Sequence, residues 1–190
     1  MIVFDTSVLA LSFDDKARAP IDPTTGVALT KCKERIDYLL AELSKAKQRV
    51  LIPTPVLAEY LVLGGLDKDK RLQEFSNSKA FTVGSFDIRA AVECSMIQDG
   101  ANSKKPLSEI ETKAKLKFDR QIIAVAIARG AKAIYTGDRH LAARALENGL
   151  AAVLTWDLPL PPEKEVPLPS PQLNLGYEET TIATAEPESE

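Results

Sequence analysis

Met1-Ile2-Val3-Phe4-Asp5-Thr6-Ser7 opens the chain, and Ala133-Ile134-Tyr135-Thr136-Gly137-Asp138 echoes it late: each is a short apolar run that ends on an acid. Both read as buried strands that deliver an aspartate at the carboxyl end. In an open α/β sheet, ligands collect beyond the carboxyl ends of the parallel strands. Asp5 and Asp138 are therefore expected to face one crevice.

Between and after these runs, apolar strands alternate with helical stretches. A short helical turn leads into a polar loop from Asp14 to Thr25, with Pro20, Pro23 and Gly26. Thr30 to Lys47 reads as an amphipathic helix with Ile36, Leu39, Leu40 and Leu43 on one face. Val50-Leu51-Ile52 is a second strand, stopped by Pro53 and Pro55. Thr54 is expected to cap a helix from Pro55 to about Leu63 that Gly64-Gly65 closes. A short helix over Asp67 to Phe75 and a strand over Ala80 to Val83 follow, and Ser85 is expected to cap a helix toward Gln98. A helix from about Glu109 to Arg129 ends at Gly130, strand four is Ala133 to Tyr135, a helix over Asp138 to Asn148 ends at Gly149, and Ala151 to Leu154 is the fifth strand. This alternation predicts an α/β fold, a parallel sheet with helices on both faces.

The 190 residues, 45% apolar and 6% aromatic, suffice for one domain with a real core, assigned to residues 1–157. Residues 158–190 change texture. Pro159, Pro161, Pro162, Pro167, Pro169 and Pro171 forbid a regular helix or inner strand, and the end from Glu178 to Glu190 is acidic. This tail reads as extended and disordered near its end, with Leu158, Leu160 and Leu168 among the apolar residues available to dock. No apolar run reaches the ~18 residues of a spanning helix, and no signal-peptide pattern precedes the first strand. The expectation is a cytoplasmic protein.

Several chemistries are disfavoured. Cys32 and Cys94 are far apart without Cys-x-x-Cys spacing, which argues for packing rather than zinc or redox roles. His140 is the only histidine, read as a helix-flank residue, and no Gly-x-Ser-x-Gly, Walker A or Gly-x-Gly-x-x-Gly motif occurs. A net charge of −3 is unlike a general nucleic-acid binder, although Lys104, Lys105, Lys113, Lys115, Lys117 and Arg120 form either a local phosphate-facing patch or a solvated face. Carboxylates remain.

Two further acids lie where helices should be apolar. Glu59 is the one charge in Val56-Leu57-Ala58-Glu59-Tyr60-Leu61-Val62-Leu63 and is expected to face the interior or a cleft. Asp119 interrupts the buried stripe of Leu116, Ile123 and Ala126. Asp5, Glu59, Asp119 and Asp138 thus reach one crevice from two strand ends and two helices. Gathered carboxylates repel unless a cation neutralises them, and an all-oxygen set suits Mg²⁺ or Mn²⁺. With phosphate as substrate, the reading is metal-assisted phosphodiester hydrolysis. Each acid also has a structural alternative: Asp5 and Asp138 as helix caps, Glu59 and Asp119 in ion pairs with an arginine such as Arg120 or Arg144.

The strand ending in Asp5-Thr6-Ser7, the acid in Pro55-Val56-Leu57-Ala58-Glu59, Asp119 before Ile122-Ile123-Ala124-Val125-Ala126, and Thr136-Gly137-Asp138 resemble the PIN domain, including its VapC-type toxin branch. The resemblance spans about Met1 to Leu154. It implies a three-layer α/β/α sandwich with strand order 3-2-1-4-5 and a Mg²⁺- or Mn²⁺-dependent ribonuclease acting on single-stranded or structured RNA. It further implies an antitoxin partner for a toxin, and a homodimer. By position, Asp5, Glu59, Asp119 and Asp138 would be the acidic quartet that holds metal and positions water; Thr136 would be the hydroxyl near the site, with Thr6 supporting Asp5. The loop after strand one and the tail depart from the compact toxin pattern. The alternatives are a non-catalytic PIN-like scaffold for RNA or protein, and an aspartate-based phosphotransfer enzyme. The latter fits poorly, since Asp5-Thr6-Ser7 is not Asp-x-Asp and Thr155-Trp156 stands where a receiver domain needs lysine.

Overall fold

Ile2, Val3 and Phe4 are all buried because the strand they form, β1 (Ile2–Phe4), lies in the middle of a sheet covered on both faces. The computed structural model describes residues 1–14, 17–97 and 113–162. Lys104, Lys105, the expected helix start at 109–112 and the tail from 163 onward lie outside the described residues.

After β1 come α1 (Thr6–Phe13), α2 (Cys32–Lys45), β2 (Val50–Pro53), α3 (Thr54–Leu63) and α4 (Lys68–Asn77). Then follow β3 (Phe81–Gly84), α5 (Ile88–Met96), α6 (Lys113–Ala128), β4 (Ala133–Thr136), α7 (Arg139–Glu147) and β5 (Ala151–Leu154). The five strands are parallel in the order β3-β2-β1-β4-β5, as the resemblance implied. β1 pairs with β2 on one side and β4 on the other, so the chain reverses direction across the sheet there. Right-handed crossovers put the helices before and after that reversal on opposite faces. The crevice at the carboxyl ends of β1 and β4 is the topological switch point.

The core is continuous through the sheet, from Ile36 of α2 to Ile123 of α6. Phe4, Phe13, Phe75, Phe81 and Tyr60 form an aromatic cluster at one side, with ring centroids 5.4 to 6.2 Å apart. Cys32 and Cys94 are free thiols packed against this core. Leu158, grouped with the tail by composition, is 2% exposed and belongs to the core, and its carbonyl accepts from Arg35 Nη1.

Three local expectations are corrected. Thr54 does not cap α3 but is its first residue, and its hydroxyl accepts the Phe86 N–H at 3.0 Å instead. Asp87 rather than Ser85 caps α5, its carboxylate accepting the Ala90 N–H at 3.0 Å. α2 starts at Cys32 because Lys31 takes a left-handed conformation with φ 55°. Gly130 ends α6 at φ +68°, where an L side chain is strained. Among the described residues, no helix is long and apolar enough to cross a membrane.

Candidate active site

Asp5 leaves β1 and caps α1, its Oδ1 accepting the Val8 N–H at 3.0 Å. The cap role and the cleft role coincide, because the first turn of α1 starts at the carboxyl end of the central strand. Two hydroxyls fasten the carboxylate. Ser7 Oγ donates to Oδ1 at 2.8 Å, and Thr136 Oγ1, fully buried at the end of β4, donates to Oδ2. The same hydroxyls accept from the β4–α7 turn: Ser7 Oγ takes the Gly137 N–H at 2.9 Å and Thr136 Oγ1 the Asp138 N–H at 2.8 Å. Gly137 allows this approach: a Cβ there would lie 3.0 Å from Ser7 Oγ and 3.1 Å from Thr155 Oγ1, so both hydroxyls would have to shift. Two switch-point turns are thereby locked together.

Asp138 caps α7, its Oδ1 accepting the His140 N–H at 2.7 Å, while Oδ2 pairs with Lys115 Nζ of α6 at 2.5 Å. Asp119, 4% exposed, pairs through Oδ2 with Arg144 Nη1 of α7 at 2.5 Å, and Arg144 is itself 9% exposed. Glu59 accepts from Thr6 Oγ1. Of the two places expected for Glu59, interior or cleft, the structure gives the cleft: the residue is solvent-exposed on its wall, because the C-terminal part of α3 turns apolar residues outward, Val62 being 78% exposed. The structure differs from the sequence reading at the hydroxyls. Thr6 supports Glu59 rather than Asp5, and Ser7, which sequence reasoning passed over, takes the role at Asp5.

All four acids line one open cleft of about 1040 Å³, together with Thr6, Ser7, Lys115, Arg139, His140 and Trp156. Pro20, Ile21 and Pro23 of the long loop form part of its wall. Of the basic cluster, Lys115 therefore lies in the cleft, as Asp138's partner rather than on a solvated face.

The two strand-end acids are shifted in opposite directions. Burial pushes the Asp5 carboxyl above its ordinary value, the nearby Asp138 charge adds to that, and the bonds from Thr136, Val8 and Ser7 only partly offset them. Burial pushes Asp138 up as well, but Lys115 and the α7 N–H groups outweigh it and hold this carboxyl below the usual range. Proton linkage gives the signs. Asp5 favours the fold at pH below the unfolded carboxyl value, and that contribution is lost as pH rises through its raised folded value. Asp138 favours the fold above the unfolded value, and its contribution is lost as pH falls through its lowered folded value. Asp138→Asn is accordingly expected to lower stability at pH 7 and to flatten its loss in acid, measured by urea denaturation in EDTA across pH 3 to 7. An acid limb unchanged from wild type would refute the assignment.

Thr136→Val tests the bridge between the turns. It keeps the volume but leaves a buried N–H and a carboxylate oxygen each short of a partner, at a cost of about 1–3 kcal/mol. Thr136→Ser is expected to retain most of the stability in the same denaturation experiment, which separates the hydroxyl from the methyl group.

The four acids are chemically suited to a hard divalent cation: they offer carboxylate oxygens, with one imidazole, His140, and, among the described residues, no thiolate on the cleft wall. Asp5 and Asp138 fit best, being mutually repulsive and partly or wholly desolvated. Among the described residues no three such groups already stand as a cluster ready to hold a metal. Lys115 and Arg144 supply the positive charge that Asp138 and Asp119 face here.

No family model matches the chain, and no curated protein matches it in sequence. Solved structures do match in three dimensions. A chain of VapBC2 from Rickettsia felis, bound to a DNA fragment from the promoter, superposes with a TM-score of 0.54 at 15% identity, over 81% of this chain and 98% of that one. DNA-bound VapBC from Salmonella typhimurium gives a TM-score of 0.50 at 15% identity, over 81% and 97%. At this identity the likeness is one of fold. With its parallel 3-2-1-4-5 sheet, the chain has the PIN-like fold of the VapC type.

Proposed function

We propose that this protein is a Mg²⁺- or Mn²⁺-dependent endoribonuclease that hydrolyses phosphodiester bonds of RNA, and that it is the toxin of a toxin–antitoxin pair. The observation that carries this reading is the convergence of Asp5, Glu59, Asp119 and Asp138, from four separate elements, on one open cleft at the switch point. When bound, the cation would activate water, neutralise the phosphodiester and stabilise the leaving oxygen. In this reading Asp5 and Asp138 would hold the ion, and Asp119 and Glu59 would complete the acidic set that orients water. Thr136 and Ser7 prevent the Asp5 carboxylate from rotating, so its charge is aimed before substrate arrives. Lys115, which pairs with Asp138 on the cleft wall, would meet a phosphate oxygen of the substrate.

The VapBC complexes that share the fold support an antitoxin as partner, and a homodimer belongs to the same proposal. One observation favours a second reading, a PIN-like scaffold that binds RNA without cutting: Lys115 and Arg144 already balance two of the acids. A single assay separates the two. Purified protein is incubated with mixed-sequence single-stranded RNA in Mg²⁺, Mn²⁺ or EDTA. Cutting with either ion and none in EDTA supports the nuclease, whereas binding without cutting under every condition supports the scaffold.

A further inference from the structure

Trp156 is the only tryptophan of the chain, and it lines the cleft that holds the acids. It follows β5 in a short 3₁₀ turn, Thr155–Asp157, whose flanks are pinned. Thr155 is buried and its hydroxyl donates to the Thr136 carbonyl at 3.3 Å, which ties the turn to the end of β4. Leu158 is buried in the core and held by Arg35. The residues on both sides of the indole are therefore anchored to the fold. The ring itself is only half-buried, unlike a core-filling tryptophan.

Arg139, the first residue of α7 and the neighbour of Asp138, places its guanidinium over one face of the Trp156 ring, 5.7 Å from its centroid. Lys115 lines the same cleft. An aromatic face beside cationic side chains is the combination that binds single-stranded nucleic acid: bases stack on the ring, phosphates meet the charges.

We infer that Trp156, with Arg139 over one face, is a stacking platform whose other face takes an unpaired nucleobase flanking the phosphate at the acids. This rests on the ribonuclease reading for the identity of the strand, and it goes further by assigning base recognition to one residue. A base held in a duplex is already stacked and cannot reach the ring, so the platform selects single-stranded segments, loops or bulges.

The lone indole makes the site directly observable. Full-length protein in EDTA is titrated with a mixed-sequence single-stranded RNA decamer and with an abasic strand of equal phosphate number, reading tryptophan emission and affinity. The intact decamer is expected to quench emission and to bind roughly tenfold more tightly than the abasic strand, within the range of one base–aromatic stack. Trp156→Ala, checked for folding by circular dichroism, should lose that preference, and Trp156→Phe should keep most of it. Unchanged emission at saturation, equal affinity for the two strands, or wild-type affinity in Trp156→Ala would each overturn the platform. The wild-type titration does not depend on any variant folding. RNA cleavage without quenching would sink the platform alone, while base-dependent quenching without metal-dependent cleavage would sink the nuclease and leave the platform standing.

Discussion

Asp5→Asn is expected to lower metal-dependent RNA cleavage by roughly 10³-fold, the upper end for loss of one preorganised charge-stabilising group, while raising the unfolding midpoint measured in EDTA at pH 7. The two effects have one origin. Asp5 is 5% exposed, and burial together with the Asp138 charge raises its carboxyl above the unfolded value, so the ionised form opposes folding at neutral pH. Asparagine keeps the side-chain oxygen that caps Val8 and removes the charge. Its amide cannot replace an anionic ligand. The measurement pairs single-stranded RNA cleavage in Mg²⁺ with thermal unfolding of both proteins in EDTA. Full activity in the variant would end the assignment of Asp5 to catalysis. A lower midpoint in EDTA would mean that the hydroxyls of Thr136 and Ser7 stabilise the anion more than burial opposes it.

Arg144→Met is expected to cost about 3–5 kcal/mol, the usual penalty for breaking a buried ion pair by removing one partner. Arg144 Nη1 lies 2.5 Å from Asp119 Oδ2, both residues are buried, and methionine fills most of the volume without the charge. The double change Arg144→Met with Asp119→Leu should recover most of the loss, because a well-packed apolar pair often equals a buried ionic one. Urea denaturation measures both. A loss under about 1 kcal/mol for the single variant would show that the cleft solvates Asp119, as for an exposed pair. The variant also probes the proposed cation site without an activity readout. If Asp119 belongs to that site, Mg²⁺ or Mn²⁺ should raise the midpoint of Arg144→Met more than that of wild type, since an ion that binds only the folded state stabilises it. Equal responses would remove Asp119 from the site.

The strand-end acids and the two helical acids were legible in the chain because each depends on local pattern: an apolar run that stops on Asp, or a charge that interrupts a helical stripe. The dual nature of Asp5 and Asp138 was legible only as a choice. Read locally, a capping aspartate and a cleft aspartate are alternatives; folded, they are the same residue, because α1 and α7 both start at the switch point. Similarly, Arg144 was one of two arginines weighed as a partner for the helical acids. It pairs with Asp119, which also lines the cleft.

Alternation of strands and helices determined the α/β class, because hydrophobic period is written residue by residue along the chain. So were the five strands, within about a residue, and the stop of α6 at Gly130. Tertiary structure alone decided which hydroxyl serves which carboxylate, Ser7 with Asp5 and Thr6 with Glu59, since the two sit side by side and only the start of α1 sends them different ways. It also decided that Glu59 stands at a solvent-exposed rim, that Lys115 meets Asp138, and that Trp156 joins the cleft. Thr6 and Glu59 are 53 positions apart and Lys115 and Asp138 are 23 apart, and a local pattern carries no record of distance between such segments; Ser7 and Asp5 are two apart, and there the turn of the chain into α1 decides. The neighbours along the chain set the elements, and the packing of those elements set the chemistry.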